Sequence, residues 1–554
     1  MTSQVRALLA VALATLILFV GQYFLPRSEE SPAPENEEAA TTTAQPLASP
    51  PVDTPSVLER QPRREAPPPR APEREVTIET DVVRAVMTSR GGTLKSWQLK
   101  SYPVADGQGV DLVAPQKGDT LGPLVVSSGS AEEPAPLEFD IDRAQLKLTL
   151  PSETGSIVFS SRRSGPLQLS KRLTFKGNSY RVEVELSWKN VGKTPITIAP
   201  ELAWGPGFYN DGSDQRAQAL SSTSWVDGKR VTDDLIGLQG AVTHSGQISW
   251  AALQNLYFAA ALLPGEKGSA VAVRKESQEQ PTISLVTPAQ TVQAGEEFVQ
   301  RFAFYGGPKD IDSLAAAGSD LSNIVDLGWF DALARPALHL MRFLYRLSGN
   351  YGVAIILISI LQKVVLHPLT AKSLRSMQAM KALQPKVAAI TERHKNNPQK
   401  KQQEVMGLYK KHGVNPLGGC LPMLVQLPIF VALYNALSSS VEMWRAHFLW
   451  ISDLSQPDAL FSFDIWGLRD YPFNLLAIFM GVSMFFQQKM SPSTGDPQQA
   501  KMMLYLMPTM FTFMFWTFPS GLVLYWLVSN VLQMGQQYWL QKRGKLSISG
   551  PEAT

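Results

Sequence analysis

The sequence predicts a polytopic α-helical membrane protein with a large β-sandwich domain outside the cytoplasm. Three observations support this fold class. Six apolar runs are long enough to be membrane spans, a long stretch after the first run has the period-two pattern of strands, and cationic side chains are concentrated in the loop after the second run. The 554 residues carry a net charge of only +3 and one cysteine, Cys420. Neither a general nucleic-acid-binding role nor a disulfide framework is therefore expected.

The first apolar run, residues 7–25, has no charged side chain and follows Arg6. A helix of this length can cross the ~30 Å hydrocarbon core, and an arginine before it favours a cytoplasmic N-terminus. We expect an uncleaved signal anchor over residues 1–25; a cleaved signal peptide is the alternative, because the two look alike. Residues 26–75 hold 12 prolines and almost no aromatic residues, which predicts a disordered linker.

Residues 76–320 alternate between apolar and polar side chains in several short stretches. The segment SYRVEVELSW places Val182, Val184 and Leu186 on one face and charged side chains on the other, as in a half-buried strand. So many strands are expected to close into a large β-sandwich. Such a domain could hold a sugar or a partner protein, or act as a passive scaffold, and the sequence does not choose among these alternatives.

Five further apolar runs follow the strand-rich stretch. They cover roughly residues 351–369, 418–438, 472–488, 502–518 and 521–538. The loop 370–417 between the second and third runs has ten Lys or Arg residues against two Glu. The positive-inside rule therefore places this loop and both termini in the cytoplasm, and the strand-rich domain on the other side.

Residues 334–349, just before the second run, have the pattern of an amphipathic helix. Arg335, His339, Arg342 and Arg346 recur at spacings of four, three and four, with apolar side chains between them. We expect a helix that lies in the membrane interface. A soluble helix packed on the β-domain would have the same pattern.

The loop 370–417 is expected to be a cytoplasmic helical hairpin, bent at Pro385 and with its second helix starting near Pro398. Met377 and Met380 could form an adaptable apolar surface, although packing between the helices would also require apolar residues there. Cations such as Lys381 and Lys386 are either a solvated face or an attraction for lipid head groups or ribosomal RNA.

Polar side chains occur in the part of the later runs that faces the cytoplasm. Lys363 is charged, and its companions are Gln362, Gln426, Ser529, Asn530 and Gln533. We interpret this increase in polar side chains towards the cytoplasm as a hydrated groove that is open to the cytoplasm. An amide that faces lipid without a hydrogen-bond partner costs several kcal/mol, about 2–7. Alternatively, Lys363 could snorkel to the interface, and the glutamines could serve only helix association.

The assigned spans contain no Asp or Glu, so Lys363 has no fixed acidic partner there and a carboxylate proton relay is not available. A cation held in this way attracts an acidic or polar segment that visits the groove. Ser359 and Lys363 are four residues apart, but a Ser/Lys hydrolase would also need an oxyanion donor, which is not evident. We expect no enzyme activity, no metal and no cofactor.

Several longer motifs resemble one family closely. MQAMKALQPK, LYKKHGVNPLGGCLPMLVQLPIFVALY, WISDLS, MFFQQKMSP and FPSGLVLYWLVSNVLQMGQQ are similar to the YidC (Oxa-type) membrane protein insertase family, over about residues 335–540. The N-terminal anchor and β-domain resemble the Gram-negative bacterial form. The resemblance implies a periplasmic β-supersandwich at 76–320, a five-helix insertase core at 350–540 and a short C-terminal tail at 541–554.

The same resemblance implies a function: insertion and folding of inner-membrane proteins, alone or with the Sec translocon. The implied partners are nascent membrane proteins, the ribosome and the phospholipid bilayer. Lys363 takes the position of the family's basic groove residue. The apolar part of a client would leave along a slide on the third and fifth spans, formed by Met423, Leu427, Phe430, Met510 and Met514. The alternative function is a solute transporter with a periplasmic binding domain, against which stands the lack of evident inverted repeats.

Overall fold

The computed structural model describes residues 72–104, 107–115, 120–129, 137–162, 165–208, 220–235, 237–238, 240–265, 269–276, 280–395, 397–414, 421–465, 468–490 and 497–547. From Glu73 onward they belong to one compact unit. The expected signal anchor and the expected linker as far as residue 71 lie outside the described residues.

Strands dominate the described chain as far as residue 308. They are β1 Glu75–Glu79, β2 Val83–Thr88, β3 Leu94–Pro103, β4 Gly109–Asp111, β5 Val125–Ser127, β6 Phe139–Ile141, β7 Gln145–Lys147, β8 Thr154–Ser161, β9 Leu167–Lys176, β10 Arg181–Asn190, β11 Ile196–Ile198, β12 Glu201–Trp204, β13 Ser221–Val226, β14 Lys229–Asp233, β15 Ala241–Ser245, β16 Ile248–Gln254, β17 Phe258–Pro264, β18 Ala270–Glu276, β19 Gln280–Val286, β20 Gln290–Val292 and β21 Glu297–Pro308. A later hairpin adds β22 Ser462–Ile465 and β23 Leu468–Pro472.

The strands of the β-domain form three large sheets. A nine-stranded sheet has the order β14-β13-β16-β17-β21-β10-β9-β8-β6, and two five-stranded sheets have the orders β4-β3-β2-β1-β7 and β15-β18-β19-β12-β5. In β10 the side chains of Val182, Val184 and Leu186 are buried, so the predicted period of two is confirmed in this strand. The layered sheets confirm the coarse prediction of a β-sandwich architecture.

The three sheets share one hydrophobic core. Phe304 of β21 stacks on Trp204 of β12 at a centroid distance of 4.9 Å and meets the edge of Trp97 of β3 at 5.1 Å. The Trp97 indole N–H donates to the carbonyl oxygen of Gly306, at 2.8 Å. These aromatic residues therefore join all three sheets, and large aromatic side chains supply much of the apolar area that such a core buries.

The rest of the described chain is mainly helical. The helices are α1 Ile311–Ala317, α2 Asp331–Ser348, α3 Tyr351–Val365, α4 His367–Ala382, α5 Gln384–Arg393, α6 Pro398–Lys411, α7 Leu421–Ser438, α8 Leu475–Met490, α9 Pro497–Phe515 and α10 Ser520–Ser547. The start of α3 is fixed by Asn350, whose side chain accepts from the backbone N–H groups of Gly352 and Val353. Such a side chain replaces the missing hydrogen bonds of a first helical turn.

The segment between β21 and α2 is held on the β-domain by side chains that reach its backbone carbonyls. Arg181 donates to the carbonyl oxygen of Ala317, and Arg230 donates to that of Val325 at 3.2 Å. The indole N–H of Trp250 donates to the carbonyl oxygen of Asp320 at 3.2 Å. Ala317 is the last residue of α1, where carbonyls lack partners within the helix. Together the three contacts fix the connection between the strands and the helices.

The segment that follows α7 also packs against the β-domain. Val441 belongs to the buried core of the β-domain. Trp444 contacts Tyr102 and Phe258, with ring centroids 6.0 and 5.6 Å apart. The helical part of the chain thus contacts the strands before α2 through hydrogen bonds and after α7 through apolar packing.

Within the described residues, each individual helix falls short of the length and apolar content needed to cross a bilayer. One pair, α3 with α4, satisfies both criteria when taken together, and its two members meet at an angle of 63°. The expected spans do coincide with helices: α3, α7, α8, α9 and α10 each overlap one of the five later apolar runs.

Candidate substrate groove

The break between α3 and α4 lies at Leu366, three residues after Lys363. Pro368 occupies the first turn of α4, where its missing N–H is tolerated. The sequence HPLT therefore starts a new helix instead of continuing α3. As a result Lys363 lies in the last turn of α3.

The ammonium of Lys363 contacts the last long helix of the chain. Its Nζ donates to the side-chain oxygen of Gln533 on α10, at 3.0 Å. Both side chains are half-buried. Among the described residues no carboxylate lies within ion-pair distance of Lys363, so its charge meets an amide dipole and remains electrostatically uncompensated.

The two glutamines next to this contact form a closed arrangement with a tyrosine. The hydroxyl of Tyr525 donates to Gln362 Oε1 at 2.8 Å. The amide of Gln362 donates to Gln426 Oε1 at 3.2 Å, and the amide of Gln426 donates to the Tyr525 hydroxyl at 2.5 Å. We call these three side chains the Gln-Gln-Tyr ring. It joins α3, α7 and α10.

The remaining polar positions of α10 also contact neighbouring helices. The amide of Asn530 donates to the hydroxyl of Ser483 on α8 at 2.9 Å. The amide of Gln536 donates to His367 Nδ1 at 2.6 Å, and Gln537 donates to the carbonyl oxygen of Met490 at 2.7 Å. Ser529 is buried on the same helix.

The residues expected to form an apolar slide differ in their exposure. Leu427 is 60% exposed on α7. Phe430 is buried, where it packs edge-on against Trp526 at 4.7 Å between centroids. Met510 is half-buried, and Met514 packs against the buried core of the bundle. The side chain of Met423 lies outside the described residues.

The hairpin formed by α4, α5 and α6 has a small core of its own. Met380, Leu383 and Tyr409 are buried together, and Met377 packs against them. Packing between the helices therefore occupies both methionines. Lys381 and Lys386 are exposed, so their charges face away from this core. The chain bends at Leu383 between α4 and α5, close to the predicted bend at Pro385.

Tyr525, His367 and Ser483 take part in these contacts and were not predicted from the sequence. Tyr525 stands in an apolar run and resembles an ordinary packing residue, although it precedes Ser529 and Gln533 at spacings of four. A polar face that includes Ser529 and Gln533, when extended back by one helical turn, reaches Tyr525. His367 directly follows the apolar run of α3, and nothing in its own helix signals its contact with Gln536.

Comparison with known proteins follows the same division of the chain. Residues 75–340 match the family model described as the YidC periplasmic domain, and residues 343–547 match the one described as 60Kd inner membrane protein. The membrane protein insertase YidC of Geobacter sp. (strain M21) is 39% identical over 85% of this chain and 86% of its own length. The membrane protein insertase YidC of Syntrophus aciditrophicus (strain SB) is 34% identical over 97% of this chain and 99% of its own length.

The strand and helix parts together therefore define an inner-membrane protein with a periplasmic domain. More particularly, the chain belongs to the YidC membrane protein insertase family. A solved structure of an active YidC insertase with its first transmembrane domain covers 85% of this chain and 93% of its own length, at 19% identity and a TM-score of 0.37.

Proposed function

We propose that this chain inserts membrane proteins into the inner membrane and helps them fold, using the polar side chains around Lys363 as its client groove. The observation that carries the proposal is the contact of Lys363 with Gln533. A half-buried cation that meets only an amide is available to attract an acidic or polar segment of another chain. A permanent ion pair would neutralise that charge and leave it unable to attract a client.

The topology we propose has six spans, with both termini in the cytoplasm and the β-domain in the periplasm. The first span is residues 1–25, and α3, α7, α8, α9 and α10 form a five-helix core within residues 350–540. The bend after α3 then marks the point at which the chain leaves the membrane. Helix α2 supports this arrangement, because Phe343 and Leu347 are 56% and 68% exposed on it, as expected for an interfacial helix.

In the mechanism we propose, the polar end of a client enters from the cytoplasm and is attracted by Lys363. The distance over which the polar end must pass through hydrocarbon is thereby shortened. The client's apolar helix leaves sideways along the two helices that carry Leu427, Phe430, Met510, Met514 and Met423. Burial of that helix in lipid supplies the driving free energy, so no nucleotide is needed.

The partners we propose are nascent membrane proteins, the ribosome that delivers them, the Sec translocon and the surrounding phospholipids. Exposed cations of the hairpin, including Lys381 and Lys386, support an attraction to ribosomal RNA or anionic head groups. The proposed hairpin, residues 370–417, contains α5, α6 and most of α4.

The test is insertion of a purified single-span client into vesicles that contain only this protein and lipid, without nucleotide. The expected result is a client segment that becomes protected from external protease, well above the level in protein-free vesicles. Equal protection in both would contradict the proposal. Solute flux through the vesicles in the absence of insertion would support a transporter.

A further inference from the structure

The donors and acceptors of the Gln-Gln-Tyr ring follow one direction. Tyr525 donates to Gln362, Gln362 to Gln426, and Gln426 back to Tyr525. Each side chain is both donor and acceptor within the ring, and such chains of hydrogen bonds polarise one another. The hydroxyl of Tyr525 uses its only hydrogen in the ring, and the residue is 1% exposed. The two glutamines are half-buried, and Tyr525 also lies beside Ser529, so Tyr525 is the buried member of the ring.

The ring lies at a boundary along α3. Towards the C-terminal end of α3, Lys363 bonds to Gln533 at 3.0 Å, and His367 bonds to Gln536. One turn in the other direction, Ser359 is 0% exposed, and its hydroxyl donates to the carbonyl oxygen of Ile355 in its own helix at 2.7 Å.

On α10 the same boundary is present. The residues before Tyr525 are apolar and buried, including Leu522 and Val523 at 0% exposure. After it, polar side chains recur at Ser529, Asn530 and Gln533 among apolar ones such as Val528 and Val531. Thus Gln362 and Tyr525 each stand between buried residues of their own helix and the contact of Lys363 with Gln533. The ring also includes α7 through Gln426.

We propose that the Gln-Gln-Tyr ring is the floor of the groove, which stops water and the polar end of a client at the depth of Tyr525. This inference rests on the proposed function and assigns a positioning role to Tyr525, Gln362 and Gln426. A polar group that passes the ring must break it and leave buried donors and acceptors unpaired. A client therefore stops beside Lys363, where its charge is attracted.

The test measures access of a water-borne reagent to Ser359, beyond the ring. In full-length protein with Cys420→Ser, a single reporter Ser359→Cys is treated in inverted membrane vesicles with a membrane-impermeant maleimide. We expect slow labelling with the ring intact and labelling about tenfold faster with Tyr525→Phe, the factor that corresponds to loss of one or two ordinary hydrogen bonds. Gln426→Ala should also speed the labelling, because it removes the ring's bonds to Gln362 and Tyr525 from the side of α7.

The matched control is Tyr538→Phe, on the same helix but 63% exposed, which should leave the labelling rate unchanged. Ser359→Cys that reacts as fast as Gln533→Cys while the ring is intact would overturn the inference. So would equal labelling rates with and without Tyr525→Phe. Client insertion is measured in the same vesicles: insertion without a change in labelling rejects only the floor, whereas loss of insertion in the protein with an intact ring rejects the proposed function.

Discussion

Arg342 of α2 lies 2.7 Å from Asp310, the residue that caps α1. The same guanidinium is 3.0 Å from Asp312 and 2.5 Å from Glu442, which follows α7. Only 10% of the Arg342 side chain is exposed. One cation therefore joins the end of the β-domain, the amphipathic helix and the segment after α7, and charge-assisted bonds of this kind are stronger than neutral ones.

Arg342→Ala should lower the free energy of unfolding by about 3–5 kcal/mol, because its removal leaves the largely buried carboxylates of Asp310 and Glu442 without their cation. Arg342→Lys should recover only part of the loss, since an ammonium cannot reproduce the forked geometry. Pulse proteolysis of the full chain in detergent micelles measures the change. Arg346→Ala, exposed on the same helix, is the control, and an equal loss in that variant would argue against the cluster.

Lys171 of β9 should make stability depend on pH. Its ammonium is fully buried and donates to the carbonyl oxygens of Gly92 and Leu124, at 2.8 and 2.5 Å. Burial lowers the pKa of Lys171 to about 7, whereas a lysine in the unfolded chain has a pKa of about 10.4. Between these values the unfolded chain binds a proton that the folded chain has lost, so stability due to this group rises with pH.

The contribution to the slope approaches about 1.4 kcal/mol per pH unit. Denaturant unfolding at pH 7.5, 8.5 and 9.5 tests it by comparison of variants. Lys171→Met should remove this part of the slope, whereas Lys176→Met, exposed on the same strand, should retain it. A slope that survives unchanged in Lys171→Met would mean that another group is responsible.

Lys363→Glu should impair insertion of a client with an acidic tail more than that of the same client with a neutral tail. Two unit charges about 4 Å apart interact by ~1 kcal/mol in water and ~4 kcal/mol at an effective dielectric constant of 20. The acidic client should thus lose at least about tenfold more insertion. Lys363→Arg should retain activity, and Lys372→Glu controls for a general effect of charge. Equal losses for both clients would refute attraction by Lys363.

Local patterns predicted which faces of the strands are buried but not how the strands are ordered. The alternation in β10 is enough to place Val182 and Leu186 inside. Its neighbours are β9 and β21, and the pairing of β10 with β21 joins residues more than a hundred positions apart. That choice depends on long-range contacts and turn geometry, which a local period does not encode.

In the candidate site, too, the sequence predicted which residues matter but not which residues they contact. Polar residues in apolar runs identified Lys363 and Gln533 as candidates, because such residues are costly in a membrane. Their individual partners could not be predicted, since each lies on another helix. Arg342 is the opposite case: its spacing suggested the solvated face of an amphipathic helix, yet carboxylates from two other segments bury it.

Gly481→Ala should disturb the crossing of α8 and α9, because a Cβ at residue 481 would collide with Oγ1 of Thr512. We expect the free energy of unfolding to fall by about 1–3 kcal/mol, as is typical of overpacking. The measurement follows the helical circular dichroism signal while a denaturing detergent is titrated in. Thr512→Ala in the same chain makes room for the new methyl group and should recover most of the loss. Thr512→Val keeps an atom at the position of Oγ1 and should not. A double-mutant cycle isolates the coupling; strictly additive effects of Gly481→Ala and Thr512→Ala would show that the two residues do not limit how closely the helices approach.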